Sequence, residues 1–310
     1  MTSPFPIDLS SNELAVSTQE LSKAFGGRRA LENVALQVPH GAVYLLVGPN
    51  GAGKSTTLRI LLDLLRPTGG LASVLGLDPQ KQGALVRANV GYVPDQPTWG
   101  YGWMRAGRLL EHHAEFYTNW DTEYAAQLCR TFDVKLDAKV STLSKGQARR
   151  MQFVMALAHR PQLLVFDEPT DGLDPVMRDE ILGALVEHLA DSPTTVLLST
   201  HHVAEVEQIA DHIGVMRDGQ LCAQMPLSDL RRDLRRYRAE VPAGWQGEAL
   251  LGDAVLRRAS SRNEVDWTIW GEQSSIAEEL ATAGATVREA APLSLEEATL
   301  TLLNPNRNAR

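Results

Sequence analysis

Apolar runs of strand length alternate along this chain with segments of helical spacing. Residues 14–16 and 35–38 read as short strands, and the turn pair His40-Gly41 opens the apolar, β-branched run 42–47, which predicts a buried strand. A glycine-rich stretch follows, then an apolar-periodic helix over 55–65, ended by Pro67-Thr68-Gly69-Gly70. From 102 to about 136 helix formers dominate, with Leu109, Leu110, Ala114 and Tyr117 in apolar spacing, which predicts a helical insertion. Strand character returns at 163–166 and 195–198, separated by an amphipathic helix over 176–189. Such alternation predicts an α/β fold with a mainly parallel sheet.

Near residue 227 the pattern changes. Arg231, Arg232, Arg235, Arg236 and Arg238 follow closely, read as a solvated helix face, and Pro242-Ala243-Gly244 comes after them. This divides the chain into a domain over 1–230 and a small α+β unit over 231–310. The latter is expected to hold a hairpin at 254–259 and 265–270, a helix at 276–283 and a capped final helix at 294–303. There is no internal repeat. No apolar run reaches the roughly 18 residues a membrane span needs, so any membrane would be spanned by another chain.

A length of 310 residues suits one main domain with an appendage, and 44% hydrophobic with 22% charged residues excludes a disordered or fibrous class. The net charge of -8 argues against broad nucleic-acid binding, and no nucleic-acid partner is expected. Cys129 and Cys222 alone provide neither a disulfide framework nor a cysteine-rich metal site, which fits a reducing cytoplasm. The first residues, with Pro4, Pro6 and Asp8, lack the charged start and apolar stretch of a secretory signal.

Gly48, Pro49, Asn50, Gly51, Ala52, Gly53, Lys54 and Ser55, followed by Thr56, match the phosphate-loop pattern and sit between a buried strand and a helix start. Glycines let backbone N–H groups converge on phosphate oxygens, Lys54 reaches the β and γ phosphates, and Ser55 offers a hydroxyl to Mg²⁺. The pattern implies Mg-ATP. Asp167 and Glu168 end the apolar strand at 163–166, where Asp167 would hold Mg²⁺ through water and Glu168 would polarise the attacking water. His201 lies at the end of the next strand and could orient Glu168 or the water, with His202 as the competing candidate. His112-His113 reads as structural, and no metal site made by protein ligands alone is assigned.

With these residues in place, Leu143-Ser144-Lys145-Gly146-Gln147 is similar to the signature of the ATP-binding cassette (ABC) ATPases. Asp171-Gly172-Leu173-Asp174 is similar to that family's D-loop, and Ser199-Thr200-His201 to its switch histidine. The resemblance implies a P-loop cassette with N-terminal antiparallel strands and a helical subdomain at about 96–160. It also implies head-to-tail pairing with a second cassette, identical or different. Ser144, Gly146 and Gln147 would then touch the partner's ATP, Asp174 would belong to the nucleotide interface, and Phe25 would stack on adenine unless it is an ordinary core aromatic. Two positions depart from the pattern. Lys145 stands where glycine is usual, and Asp95 where the glutamine that senses Mg²⁺ and the transmembrane partner is usual, with Gln96 one residue late.

Ser294-Leu295-Glu296-Glu297-Ala298 looks like the tail of ABC-2 type exporter ATPases. The implied function is a peripheral ATPase subunit on the cytoplasmic side of the membrane, hydrolysing ATP to drive separate permease subunits through residues 92–101. The alternative is a soluble cassette ATPase without a membrane partner.

Overall fold

Within the run 42–47 the strand itself, Val43–Val47, is buried at all five residues, because the parallel sheet is covered on both faces. The protein is seen in a computed structural model that describes residues 13–96, 100–242, 245, 254–261, 264–304 and 307–308. The N-terminal reading at Pro4, Pro6 and Asp8, and the Ala243-Gly244 turn, lie outside the described residues. The chain opens with β1 (Leu14–Phe25), β2 (Arg28–Val34), β3 (Gln37–Pro39), β4 (Val43–Val47), α1 (Lys54–Leu61), β5 (Gly69–Val74), α2 (Pro79–Ala88) and β6 (Val90–Val93). Next come α3 (Ala106–Ala114), α4 (Thr122–Thr131), α5 (Lys145–Leu157), β7 (Leu163–Asp167), α6 (Pro175–Asp191), β8 (Thr195–Thr200), β9 (His212–Arg217) and β10 (Gln220–Pro226). The last stretch holds α7 (Leu227–Asp233), β11 (Leu234–Glu240), β12 (Val255–Ser261), β13 (Glu264–Trp270), α8 (Gln273–Thr282), β14 (Thr286–Pro292), α9 (Leu295–Leu303) and β15 (Arg307–Asn308).

The central sheet has the order β10-β9-β4-β8-β7-β6, parallel throughout except for the β10–β9 edge. Val43, Leu45 and Val47 enter one core, which holds the helices α4, α5 and α6, while Tyr44 and Leu46 enter another beneath α1 and the N-terminal sheet. Each such side chain taken out of water contributes roughly 1.5–3 kcal/mol. The N-terminal sheet, β2-β1-β3 with β5 on β1, is antiparallel. Its first strand runs well beyond 14–16, since 17–25 carries mostly polar residues, with Thr18 and Leu21 buried, and pairs onward with β2 and β5 through register shifts. The first helix stops at Leu61, short of 65, with Leu62 as its C-cap.

The arginine run is not a helix face. Arg231 and Arg232 lie in the last turn of α7, whereas Arg236 and Arg238 are exposed on β11, alternating with buried Tyr237 and Ala239. Ion pairs from Arg236 to Glu297 (2.7 Å) and from Arg238 to Asp266 (3.1 Å) replace plain solvation. The C-terminal sheet, β14-β11-β13-β12-β15, has its own core around Tyr237, Trp267, Ile269 and Leu280. The predicted hairpin is β12–β13, and Ser294 caps α9 in a reciprocal box with Glu297. From α9, Leu295, Ala298 and Leu302 pack into the same core as Leu227 and Leu230, and Arg217 donates to the Leu303 carbonyl.

His159 and His188 are buried in this architecture, at 0% and 1% exposure, and burial holds both imidazoles at about 4, against an ordinary 6.5. Between those values the unfolded chain binds protons that the folded chain refuses, so stability is full above about pH 6.5 and falls as the pH drops toward 4. Urea midpoints at pH 7.5 and pH 5 should show this fall. His188→Gln, which cannot titrate, should make it shallower, and an unchanged slope would remove His188 from the effect.

Candidate active site

Three neighbouring strands end on one side of the sheet and bring the predicted chemistry together. Val47 pairs with Thr200 and Asp167 with Ser199, so the segments after β4, β7 and β8 leave the sheet side by side. This is where parallel sheets place ligands. The loop after β4 depends on its glycines. Gly53, the N-cap of α1, has φ 107°, and a Cβ there would lie 2.6 Å from the Leu31 Cδ2 methyl. At Gly48 a Cβ would come within 2.2 Å of the Met216 carbonyl oxygen. The result is a cradle of about 190 Å³ lined by Gly51, Gly53, Lys54, Ser55, Asp95 and Glu168, with Asn50, Ala52 and Thr56 also on its wall.

Lys54 is 5% exposed, and its Nζ donates to the Gly48 carbonyl (2.7 Å) and lies 3.1 Å from Glu168 Oε1. The other Glu168 oxygen, Oε2, is 2.9 Å from His201 Nδ1 and accepts from the His201 backbone N–H at 3.2 Å. Glu168 adopts φ 49°, a left-handed backbone that ends β7 abruptly, and its N–H donates to the Ser199 carbonyl at 3.0 Å. His201, not His202, is therefore the histidine on the carboxylate.

Asp167 is fully buried. Its Oδ1 accepts from Ser55 Oγ (2.9 Å) and Ser199 Oγ (2.7 Å), while buried Oδ2 has no hydrogen-bond partner. An unpaired buried carboxylate oxygen beside a helix-terminal hydroxyl is a hard-oxygen donor set, which fits Mg²⁺. In the sequence Ser199 figures only as the start of Ser199-Thr200-His201, and its bond to Asp167 is not foreseen, since nothing in chain order sets the strand register that brings the two together.

The remaining predicted residues stand elsewhere. Ser144 and Gln147 form a capping box at the start of α5, Ser144 Oγ accepting from Gln147 N–H (3.2 Å) and Gln147 Oε1 from Ser144 N–H (3.0 Å). Neither these two nor Gly146 lines the Lys54 cradle. Asp174 caps α6, accepting from Met177 N–H at 3.0 Å. Phe25 is 49% exposed with Lys23 Nζ 4.8 Å above its ring, so it is no core aromatic. Asp95 reaches the cradle, whereas Gln96 is exposed and donates weakly to Asp95 Oδ1 (3.4 Å).

Two contacts escaped sequence reasoning because their partners are distant in the chain. Arg149, on α5 and 1% exposed, donates to the carbonyls of Pro94 and Asp95 (2.6 Å for the latter). Lys145, at the departure from the signature pattern, lies 3.1 Å from Asp171 Oδ2.

Comparison with known proteins completes the picture. Residues 31–171 match the family described as ABC transporter. The chain is 37% identical over 224 residues to the daunorubicin/doxorubicin resistance ATP-binding protein DrrA of Streptomyces peucetius, covering 71% of this chain and 68% of that protein. It is 33% identical over 235 residues to the Nod factor export ATP-binding protein I of Neorhizobium galegae, covering 74% and 67% respectively. The dimeric, post-hydrolysis ATP-binding cassette MJ0796 bound to ADP and Pi superposes with a TM-score of 0.61 at 25% identity, over 68% of this chain and 98% of that one. The phosphate loop, the paired carboxylates at the strand tips and these likenesses agree: the chain belongs to the ABC transporter family, as one of its ATP-binding ATPase chains.

Proposed function

We propose that this chain is the ATPase subunit of an exporter, working at the cytoplasmic face of a membrane on separate permease subunits and paired with a second cassette. The observation that carries the reading is the Glu168 carboxylate, held on one oxygen by Lys54 (3.1 Å) and on the other by His201 (2.9 Å). ATP would draw Lys54 from Glu168 onto its β and γ phosphates, freeing a carboxylate oxygen to take the proton of the attacking water while His201 keeps the other in place. Ser55 and Asp167, with Asp95 on the cradle wall in the usual glutamine's role, would hold Mg²⁺, which supplies charge neutralisation at the phosphates. Ser144, Gly146 and Gln147, at an exposed helix start outside the chain's own cradle, would serve the partner cassette's ATP, with Asp174 beside them and Phe25 against adenine.

The likeness to resistance and export proteins supports export. Permease contact is assigned to residues 92–101, of which Pro97, Thr98 and Trp99 lie outside the described residues. A cavity of about 250 Å³ beside this segment, with Leu62, Leu64, Pro94 and Met155 in its wall, offers an apolar seat. Residues 1–230 would form the cassette, with helices over about 96–160 as its subdomain, and 231–310 an accessory unit. No helix among the described residues is long and apolar enough to cross a membrane. The test is co-purification of the tagged chain from gently solubilised membranes, with Mg²⁺-dependent phosphate release assayed on the product. A multi-helix membrane protein in the eluate is expected, and a partnerless active enzyme would transfer the chain to the soluble class.

A further inference from the structure

The segment that carries His201 also meets the loop after β7. One ligand atom from each of Asp171, His201 and His202 lies within 4.8 Å of the other two. The two imidazole centroids are 3.8 Å apart. His201 and Asp171 are each about one-third exposed, so the group is open to solvent.

We propose that Asp171, His201 and His202 form a binding site for a borderline divalent transition metal such as Zn²⁺, separate from the Mg²⁺ carboxylate Asp167. Two imidazoles and one carboxylate are the donor set Zn²⁺ takes, with a fourth position left for water. Hydrogen bonds around the cluster prepare it further. Glu168 Oε2 engages His201 Nδ1 at 2.9 Å, which favours the tautomer with a proton on Nδ1 and a lone pair on Nε2, the carboxylate–histidine pairing that orients metal-binding imidazoles. Lys145 Nζ, 3.1 Å from Asp171 Oδ2, holds that carboxylate below its ordinary pKa and leaves the second oxygen free.

A bound metal would tie the D-loop to the histidine segment. Both must adjust when nucleotide pulls Lys54 from Glu168, so Zn²⁺ is expected to slow turnover; this consequence rests on the proposed ATPase mechanism, whereas the binding itself does not. Chain order could not announce the cluster, because Asp171 and the histidine pair are far apart in sequence and meet beyond the ends of the paired strands β7 and β8.

The test is titration of the full nucleotide-free chain with Zn²⁺ against a chromophoric chelator. The expected result is one Zn²⁺ per chain, weakened at least ~10-fold in His202→Ala and in Asp171→Asn, and in Glu168→Gln through loss of the orienting carboxylate. Unchanged stoichiometry and affinity in His202→Ala and Asp171→Asn would place the metal elsewhere, for example on Cys129 or Cys222, and overturn the proposal, as would absence of binding. Turnover of His202→Ala should resist Zn²⁺ levels that slow the native chain. Binding that follows the variants without any effect on turnover would keep the site and refute its link to hydrolysis.

Discussion

Glu168→Gln should lower steady-state ATP turnover by roughly 10²- to 10⁴-fold, the range a positioned general base contributes, while leaving nucleotide binding intact or tighter. The second half of that expectation comes from the resting contacts. Lys54 is paired with the Glu168 carboxylate at 3.1 Å and donates to the Gly48 carbonyl, so phosphate must compete with a carboxylate for the ammonium. Glutamine keeps the shape and removes the competing charge. The chain should therefore accumulate with ATP bound, which can be read by phosphate release alongside equilibrium binding of a fluorescent nucleotide. Turnover within a few-fold of the native rate would exclude Glu168 as the base. A loss of binding together with turnover would show that the carboxylate mainly supports the fold of the loop.

The second large effect is expected at Arg149. Its guanidinium is buried, and burial pulls its pKa down while the Asp95 carboxylate opposes the shift. Charged hydrogen bonds to the Pro94 and Asp95 carbonyls satisfy those groups at the point where β6 gives way to the segment carrying Asp95. Arg149→Met keeps much of the apolar stem and leaves both carbonyls unpaired. A charged hydrogen bond is worth about 1.5–3 kcal/mol, so a loss of about 3 kcal/mol in urea unfolding is reasonable. Because the same bonds join the signature helix to the segment carrying Asp95, the variant should also lose stimulation of ATPase by the co-purified membrane protein more than its basal rate. Equal loss of both would reduce Arg149 to a stabilising role.

How far these residues could be read in advance depends on the distance over which each is specified. The apolar run 42–47 announced a buried strand, and the ladders of Val43–Val47 to β8 and β9 agree. The phosphate loop was legible because its backbone needs glycine at fixed adjacent positions, and Asp167-Glu168 because carboxylates closing an apolar run must sit at a strand tip. β2, β5, β6, β9, β10, β14 and the two-residue β15 were missed, since each is short or runs directly into a turn or helix, where apolar period is weakest. The arginine run misled for a clear reason. Strong charge at Arg235, Arg236 and Arg238 hid the two-residue alternation that buries Tyr237 and Ala239, and the helical reading failed against a strand that pairs on both edges with β13 and β14.

Glycine conformation, helix caps and apolar period act over a few residues, so the sequence alone determined the phosphate loop, the capping boxes at Ser144 and Ser294, and the parallel α/β core. The chain could not reveal from its own order that Lys145 reaches Asp171, that Arg149 holds the carbonyl of Asp95, or that Asp95 and not Gln96 lines the cradle. Nor could it show that α9 returns to pack with Leu227 and Leu230 in the main core. Those outcomes were decided by tertiary structure, because each depends on strand register and helix packing that bring together side chains with no fixed spacing along the chain.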